Sequence, residues 1–589
     1  MRRSKAVSAL SLVAASALVL SACGGGGGGE GDSNTGSTVD VKSMAEGKAQ
    51  QGDEFQLADV PESEPVTVAI DEGFSAYNNK TADANSSYNN YVLVPVITGP
   101  FVLDGNNKVL LNKDVMESVT VTSEKPYTVE WKMKPGVKWS DGAPWGCEDF
   151  YLAWLAGSGA EGFNAASTTG YELMDNPTCK DDLTFEATFT EPYIDYKGLF
   201  SDVALLPAHV LEEQTGISDI TKVKPSDKQA VKKAADFWAN GWKGFKPDLM
   251  PASGPYKIKS FDQNADTVVL EKNPEWIGAK GGPSEVTIRA IPDTKAMATA
   301  LQNGEIDVAA STQPDDTAAN TMKNLASQGV NYGSAPQLTF EHFDLNYNRL
   351  FGDEAARKAF FQVVNREEIV SKLLKGVQSD IQPLNSIVFF EGEDGYQDLY
   401  SDKTNQGAEA AMKTLEAGGW KKGPDGIYQK NGKRFSVAIS HNENERRSRT
   451  VEIVQSQARA AGMEIKDDTD PNFLKGRVDK GDYDIALFGW SSAPFKAEQK
   501  SIYITGGGQN WQGLSDPKID QAFDKATSAT NAEEATKHYQ AADEALANQY
   551  ATMPLFATPS MWGFRGIDRV YMQSYNGVLW NVGEWERTD

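Results

Sequence analysis

Cysteine and histidine are scarce in this 589-residue sequence, which holds three Cys and four His. So few cysteines exclude a small disulfide-held scaffold. The histidines (His209, His342, His441 and His538) are not spaced with Cys147 or Cys179 as a metal-ligand cluster, so no metal is expected. Positive charge is in deficit as well. Lys and Arg number 57 against 82 Asp and Glu, a net charge of −25, and such a surface repels nucleic acid and anionic lipid headgroups. Beyond the N-terminal segment no run of about 18 uninterrupted apolar residues occurs, so the body is expected to lie outside the membrane. Absent too are G-x-x-x-x-G-K-[ST], H-E-x-x-H and G-x-S-x-G, and with them the local signatures of phosphate-loop, zincin and nucleophile-elbow chemistry. What is present argues for a large folded chain. A 40% hydrophobic content with 13 Trp, 20 Tyr and 25 Phe is too apolar for an acidic disordered protein. At about 150 residues per domain the length allows two to four domains.

The N-terminus has the order of a secretory signal: Arg2, Arg3 and Lys5, an apolar run from Ala6 to Leu20, then Ser21-Ala22-Cys23. Cys23 directly after Leu20-Ser21-Ala22 resembles the bacterial lipobox, in which cleavage leaves Cys as the first residue and its thiol carries a diacylglycerol. Plain secretion with Cys23 as a bystander is the other reading. Residues 1–22 are thus expected to be a lipoprotein signal, and 23–63, poor in large apolar groups and opening on Gly24 to Gly29, a flexible tether. In an exported chain the remaining pair, Cys147 and Cys179, is expected to form a disulfide, with two free buried thiols as the alternative.

Alternation marks strands at Val66–Ile70, at 128–133 and at 183–189. A hairpin is expected from Tyr256-Lys257-Ile258 to Thr267–Leu270. Helical spacing runs through Cys147, Phe150, Tyr151, Trp154 and Leu155, and from Ala359 on to Leu374 as one stretch. From about residue 336 strand-like and helical segments interleave, which predicts an α/β body with helices covering sheets. There is no internal repeat, and the change of pattern near 336 predicts two lobes. Gly157-Ser158-Gly159-Ala160-Glu161-Gly162 matches a dinucleotide fingerprint but follows a helix instead of a strand, so it reads as a loop. His342, a single histidine without partners, reads as a hydrogen-bonded structural residue, and Asp315-Asp316 and Glu367-Glu368 read as solvated faces or helix-capping charge.

At Val137-Lys138-Trp139-Ser140-Asp141-Gly142-Ala143-Pro144, followed by Cys147-Glu148-Asp149-Phe150, the sequence resembles the signature of family 5 solute-binding proteins, the oligopeptide- and dipeptide-binding components of ABC importers. Further matches come in the family's order: Ser253-Gly254-Pro255-Tyr256, Asn273-Pro274-Glu275-Trp276, Asn303-Gly304-Glu305-Ile306-Asp307, 359–368, Tyr483-Asp484-Ile485 through Gly489-Trp490, and Met553-Pro554-Leu555-Phe556. The resemblance spans residue 64 to the C-terminus. It implies an α/β, two-lobed, periplasmic-binding-protein-like (flytrap) fold with the lobes joined by two hinge strands. Lobe one would hold 64–335 and 557–589, and lobe two 336–556. Trp139 and Asp141 would lock a turn of the first lobe.

The resemblance also implies a non-enzymatic receptor without a cofactor. It would be a monomer held by its lipid at the outer face of the cytoplasmic membrane, delivering a peptide or peptide-like solute to a permease driven by a separate ATPase. A glycan, a siderophore-like compound or a metal chelate is the nearest alternative cargo, and a surface hydrolase or envelope scaffold the alternative class. Ligand contacts are expected from Tyr77, Asn78 and Asn79 in the amide-rich stretch after the first strand, and from Trp490, Ser491 and Ser492 at the end of a strand in the second lobe, with packing at the hinge the other reading for Trp490. Phe340 and Trp511 are further candidates. Peptide-binding relatives often follow that Trp with an Asp that pairs with the ligand's α-amino group, whereas here Ser491-Ser492-Ala493-Pro494-Phe495 follows. The ligand is therefore expected to be held by neutral hydrogen bonds and aromatic contacts. Asp83 and Asp344 are the acids to test should a charge be needed.

Overall fold

The computed structural model describes residues 52–588, apart from Asn106, Asp202, Ala493 and Ser574. Cys23, the signal, most of the tether and Ala493 lie outside the described residues. Ten strands form one sheet: β1 Val66–Ile70, β2 Tyr256–Asp262, β3 Thr267–Lys272, β4 Glu285–Ala290, β5 Val308–Ser311, β6 Asn331–Leu345, β7 Ser436–His441, β8 Glu464–Thr469, β9 Ile485–Ser491 and β10 Thr552–Phe564. Their order across the sheet is β2-β3-β4-β1-β5-β10-β6-β9-β7-β8. β1 is parallel to β4 and β5, and β7 is parallel to β8 and β9. Val66, Val68, Ala69 and Ile70 of β1 are all buried, the near-continuous apolar run that a parallel strand covered on both faces requires.

β6 and β10 run antiparallel through the middle of the sheet. Asn331–Pro336 pair with Pro559–Phe564, and Phe340–Asp344 with Thr552–Ala557, with a register shift between. Buried apolar residues gather into two large cores on either side of that shift. One takes residues from Phe55 to Ala335 and from Trp562 to Trp585, together with Ala497; the other takes residues from Phe340 to Phe556. The fold is thus α/β and two-lobed.

A second, four-stranded antiparallel sheet belongs to the first core, with strands in the order Met116–Glu124, Tyr127–Met133, Thr184–Phe189, Met174–Asp181. Cys147, the first residue of the helix Cys147–Gly157, is disulfide-bonded to Cys179 on the Met174–Asp181 strand, with Cα atoms 5.8 Å apart. Trp139 is fully buried and donates Nε1–H to Asp149 Oδ2 at 3.2 Å. Asp141 accepts from Ala143 N at 3.1 Å and meets His209 Nε2 at 2.8 Å. These residues fix a turn and the start of the helix, as scaffold. The Gly157–Gly162 stretch begins at the end of that helix, with no strand leading into it.

Two expectations are corrected. The tether was expected to reach residue 63, yet Glu54–Phe55 pair with Leu111–Asn112, Glu62–Ser63 pair with Gly282–Pro283, and Phe55, Leu57 and Val60 are buried. A few apolar side chains in a polar stretch suffice to seat it on the first core. The expected helix from Ala359 to Leu374 is two helices, Glu354–Val363 and Arg366–Leu373. Val364 is extended, and the Asn365 side chain accepts from Glu368 N at 2.9 Å, so an N-cap restarts the helix inside what periodicity shows as one run.

Candidate functional site

The C-terminal ends of parallel strands are where α/β sheets open onto ligand crevices. Here β1 ends at Ile70 and delivers Glu72 to a cleft, β5 ends at Ser311 and delivers Thr312 and Gln313, and β9 brings Gly489, Trp490 and Ser491 from the other core. The cleft holds about 1660 Å³ including the space at its mouth. Asn79, Ser87 and Tyr88 line it on the side of the first core, Ile502 on the side of the second, Trp511 from a smaller cluster with Phe488, and Thr339, Glu341 and Thr558 of β6 and β10 from its floor.

Aromatic rings build one wall. Trp490 and Trp511 lie 5.1 Å apart between centroids with planes 33° apart, and Phe488 sits 5.1 Å from Trp490 and 6.0 Å from Trp511. His342 stacks on Trp490 from beneath at 6.3 Å and 10°. It is fully buried, with Nε2 3.4 Å from Asp344 Oδ2, but neither ring nitrogen makes a hydrogen bond among the described residues, so the expected hydrogen-bonded role is corrected to one of ring packing against Phe488 and Trp490. Both tryptophans are half-buried, and Trp490 Nε1–H has no hydrogen-bond acceptor among the described residues. Ser491 Oγ lies 2.9 Å from Thr339 Oγ1 and 3.1 Å from Ser87 Oγ, so one hydroxyl touches the floor and the opposite wall. Ser492 N donates to Leu338 O at 2.7 Å.

The floor carries a buried ion pair. Arg447 Nε and Nη2 donate to Glu341 Oε2 and Oε1 at 3.0 and 2.6 Å, and the pair holds the Glu341 carboxyl down at about 2 against the opposing effect of burial. Arg446 Nη2 is 3.6 Å from the same carboxylate.

The amide-rich stretch divides. Asn79 lines the cleft and accepts from Ser86 N at 2.9 Å, which sets the start of the helix Ser87–Leu93. Tyr77 and Asn78 are 0% and 4% exposed and lie outside the cleft. Tyr77 donates to Pro251 O, and Asn78 donates to Trp238 O at 2.7 Å. Phe340 points away as well, packing on Phe390 in the second core. Asp344 is buried, its carboxylate accepting from Thr552 Oγ1 at 2.6 Å, and Asp83 pairs with Lys243 at 3.2 Å. The structure therefore brings Asn79, Trp490, Ser491, Ser492 and Trp511 together and leaves Tyr77, Asn78 and Phe340 out. It adds Glu72, Thr312, Glu341 and Arg447, of which only Glu72 carried a usable signal, its place just after a strand.

Two α/β lobes with a cleft at their strand ends define a solute-binding architecture. Residues 111–512 match the bacterial extracellular solute-binding proteins, family 5 (middle), and the chain belongs to that family. The oligopeptide-binding protein OppA of Mycobacterium tuberculosis is 25% identical over 548 residues, covering 90% of this chain and 86% of OppA. Among solved structures, the periplasmic EDTA-binding protein EppA matches with a TM-score of 0.80 at 23% identity, covering 91% of this chain and 98% of EppA. The oligopeptide-binding protein AppA of Bacillus subtilis, in complex with a nonapeptide, matches with a TM-score of 0.75 at 21% identity over 90% of this chain and 100% of AppA. No helix among the described residues is long and apolar enough to cross a membrane.

Proposed function

We propose that this chain is the substrate-binding lipoprotein of an ABC importer. It captures an oligopeptide or peptide-like solute outside the membrane and hands it to a permease powered by a separate ATPase. The observation that carries this reading is the cleft itself, with an aromatic wall, half-buried hydroxyls and contributions from both cores, in a chain whose relative OppA is named for oligopeptides. Trp490 and Trp511 would stack on ligand, Ser491 and Ser492 would offer polar contacts, and Asn79 would hold the rim. The lobes would be 54–335 with 557–589, and 336–556, closing about β6 and β10 at the register shift. Cys23 would carry the lipid, and the chain would act as a monomer without a cofactor. Mass spectrometry of solute co-purified with the protein from its host tests the reading. Peptides in stoichiometric amount are expected, and a single non-peptide compound in their place would overturn the peptide assignment while keeping the receptor.

A further inference from the structure

Five charged residues line the cleft: Glu72, Asp83, Glu341, Arg447 and Glu498. Four are committed within the protein. Asp83 meets Lys243, Glu341 and Arg447 answer each other, and Glu498 interacts within the fold. Glu72 differs. Half-buried just beyond β1, it accepts one neutral hydrogen bond, from Asn442 Nδ2 at 3.0 Å, and no Lys, Arg or His among the described residues comes within ion-pair distance of it.

The charges around it leave an excess of one sign. Arg446 lies in the field of Glu341 and Asp71, and Arg447 in that of Glu341 and Glu72, so three carboxylates face two guanidiniums. All three Arg447 guanidinium nitrogens are engaged elsewhere, Nε and Nη2 by Glu341 and Nη1 by Asn442. Asp71 is buried, is pushed up to about 6 by that burial, and accepts from Thr312 N at 2.7 Å. Of the three carboxylates, Asp71 does not line the cleft and Glu341 is held by Arg447, which leaves Glu72 to meet ligand. A bound solute displaces water from the cleft, and a carboxylate stranded without water or a counter-charge is strongly unfavourable. Trp490 and Trp511 on the other lobe offer π faces, which also favour a cation.

We propose that Glu72 receives a cationic group of the ligand, an ammonium or a guanidinium. The proposal rests on the peptide-receptor reading and replaces the expectation of a ligand held by neutral contacts alone. In a peptide the group is either the free α-ammonium or a Lys or Arg side chain.

The test uses the exported-length protein, freed of bound solute, and Glu72→Gln, whose side-chain oxygen keeps the bond from Asn442 and loses only the charge. Each is incubated with four pools of random pentapeptides, with free or acetylated N-termini and with or without Lys and Arg, and retained peptides are quantified after gel filtration. Wild type is expected to favour the charged pools over the acetylated pool lacking Lys and Arg by about tenfold, and Glu72→Gln to bring that ratio to within about twofold. Preference for the free N-terminus identifies the α-ammonium, and preference for Lys or Arg the side chain. Raising NaCl from about 20 mM to about 500 mM should erode the preference in wild type without any substitution, and Glu72→Asp should retain its direction. Equal retention of all pools by wild type, or an unchanged preference in Glu72→Gln, overturns the proposal alone. Retention of no peptide by either protein overturns the peptide reading and the proposal with it.

Discussion

Arg447 and Glu341 form a two-point ion pair at the floor of the cleft, with side chains only 2% and 3% exposed. It joins the helix Glu445–Ala460 to the long strand β6. Removing Arg447 leaves Glu341 with only the longer contact to Arg446, and because Arg446 is itself buried, all three must go for no charge to remain. Arg447→Met should lower the unfolding free energy by up to about 3–5 kcal/mol, and Glu341→Leu with Arg446→Met and Arg447→Met should recover most of it. Urea denaturation measures both, and a single-variant loss under about 1 kcal/mol would count against the pair.

Stability should rise on mild acidification. Burial holds Asp71, Asp114, Asp195 and Asp543 up at about 6, and Asp149 and Glu172 at about 7. A carboxyl raised in the folded state keeps its proton where the unfolded chain has lost it, so its contribution is present at low pH and is lost as pH rises through 6 to 7. Glu341 acts in the opposite sense, but only as pH falls from its ordinary value of 4.5 towards about 2. The thermal midpoint at pH 5 should exceed that at pH 8 by at least about 4 °C. A flat or inverted profile in differential scanning calorimetry would contradict this.

The Cys147–Cys179 bond closes a sequence separation of 32 residues. Replacing both residues by Ser should cost roughly 3–4 kcal/mol on loop-entropy grounds. Peptide mapping without reductant should give one linked pair, and free thiols at both positions would exclude the bond.

Trp490→Ala should weaken binding of the co-purified peptides by about 10- to 100-fold, since half-buried aromatic anchors dominate such surfaces. Because the two rings touch, Trp511→Ala combined with it should add less than its own separate effect. Calorimetric titration decides, and affinity unchanged in both variants would place the ligand elsewhere.

Cys23→Ser should leave the protein unlipidated and released into the medium. Retention in the membrane fraction after a high-salt wash would rule out the lipid anchor.

Much of the scaffold was legible because each strand or helix writes its period into a few consecutive residues. β1, the 256–270 hairpin and the helix at Cys147 stand where alternation and helical spacing put them. The helix break at Val364 was hidden because apolar spacing continues across it, and only the Asn365 cap reveals the restart. Site residues were harder to read. Tyr77 and Asn78 resemble ligand donors in a polar stretch, but backbone carbonyls at Pro251 and Trp238 take their hydrogen bonds, and nothing local announces those partners. Glu341 gains its meaning only from Arg447, 106 positions away.

The placement of β10 has a consequence for biogenesis. It is the last of the ten strands in chain order, yet it lies between β5 and β6 near the middle of the sheet. A chain emerging from the ribosome or an export channel therefore carries two unpaired strand edges until Thr552–Phe564 arrives to fill the gap. Closing that gap joins residues far apart in sequence, a slow step in which incomplete sheets are prone to aggregate. Premature termination ahead of Thr552 would thus leave a sheet split at its centre, even with nearly all of the helices already made.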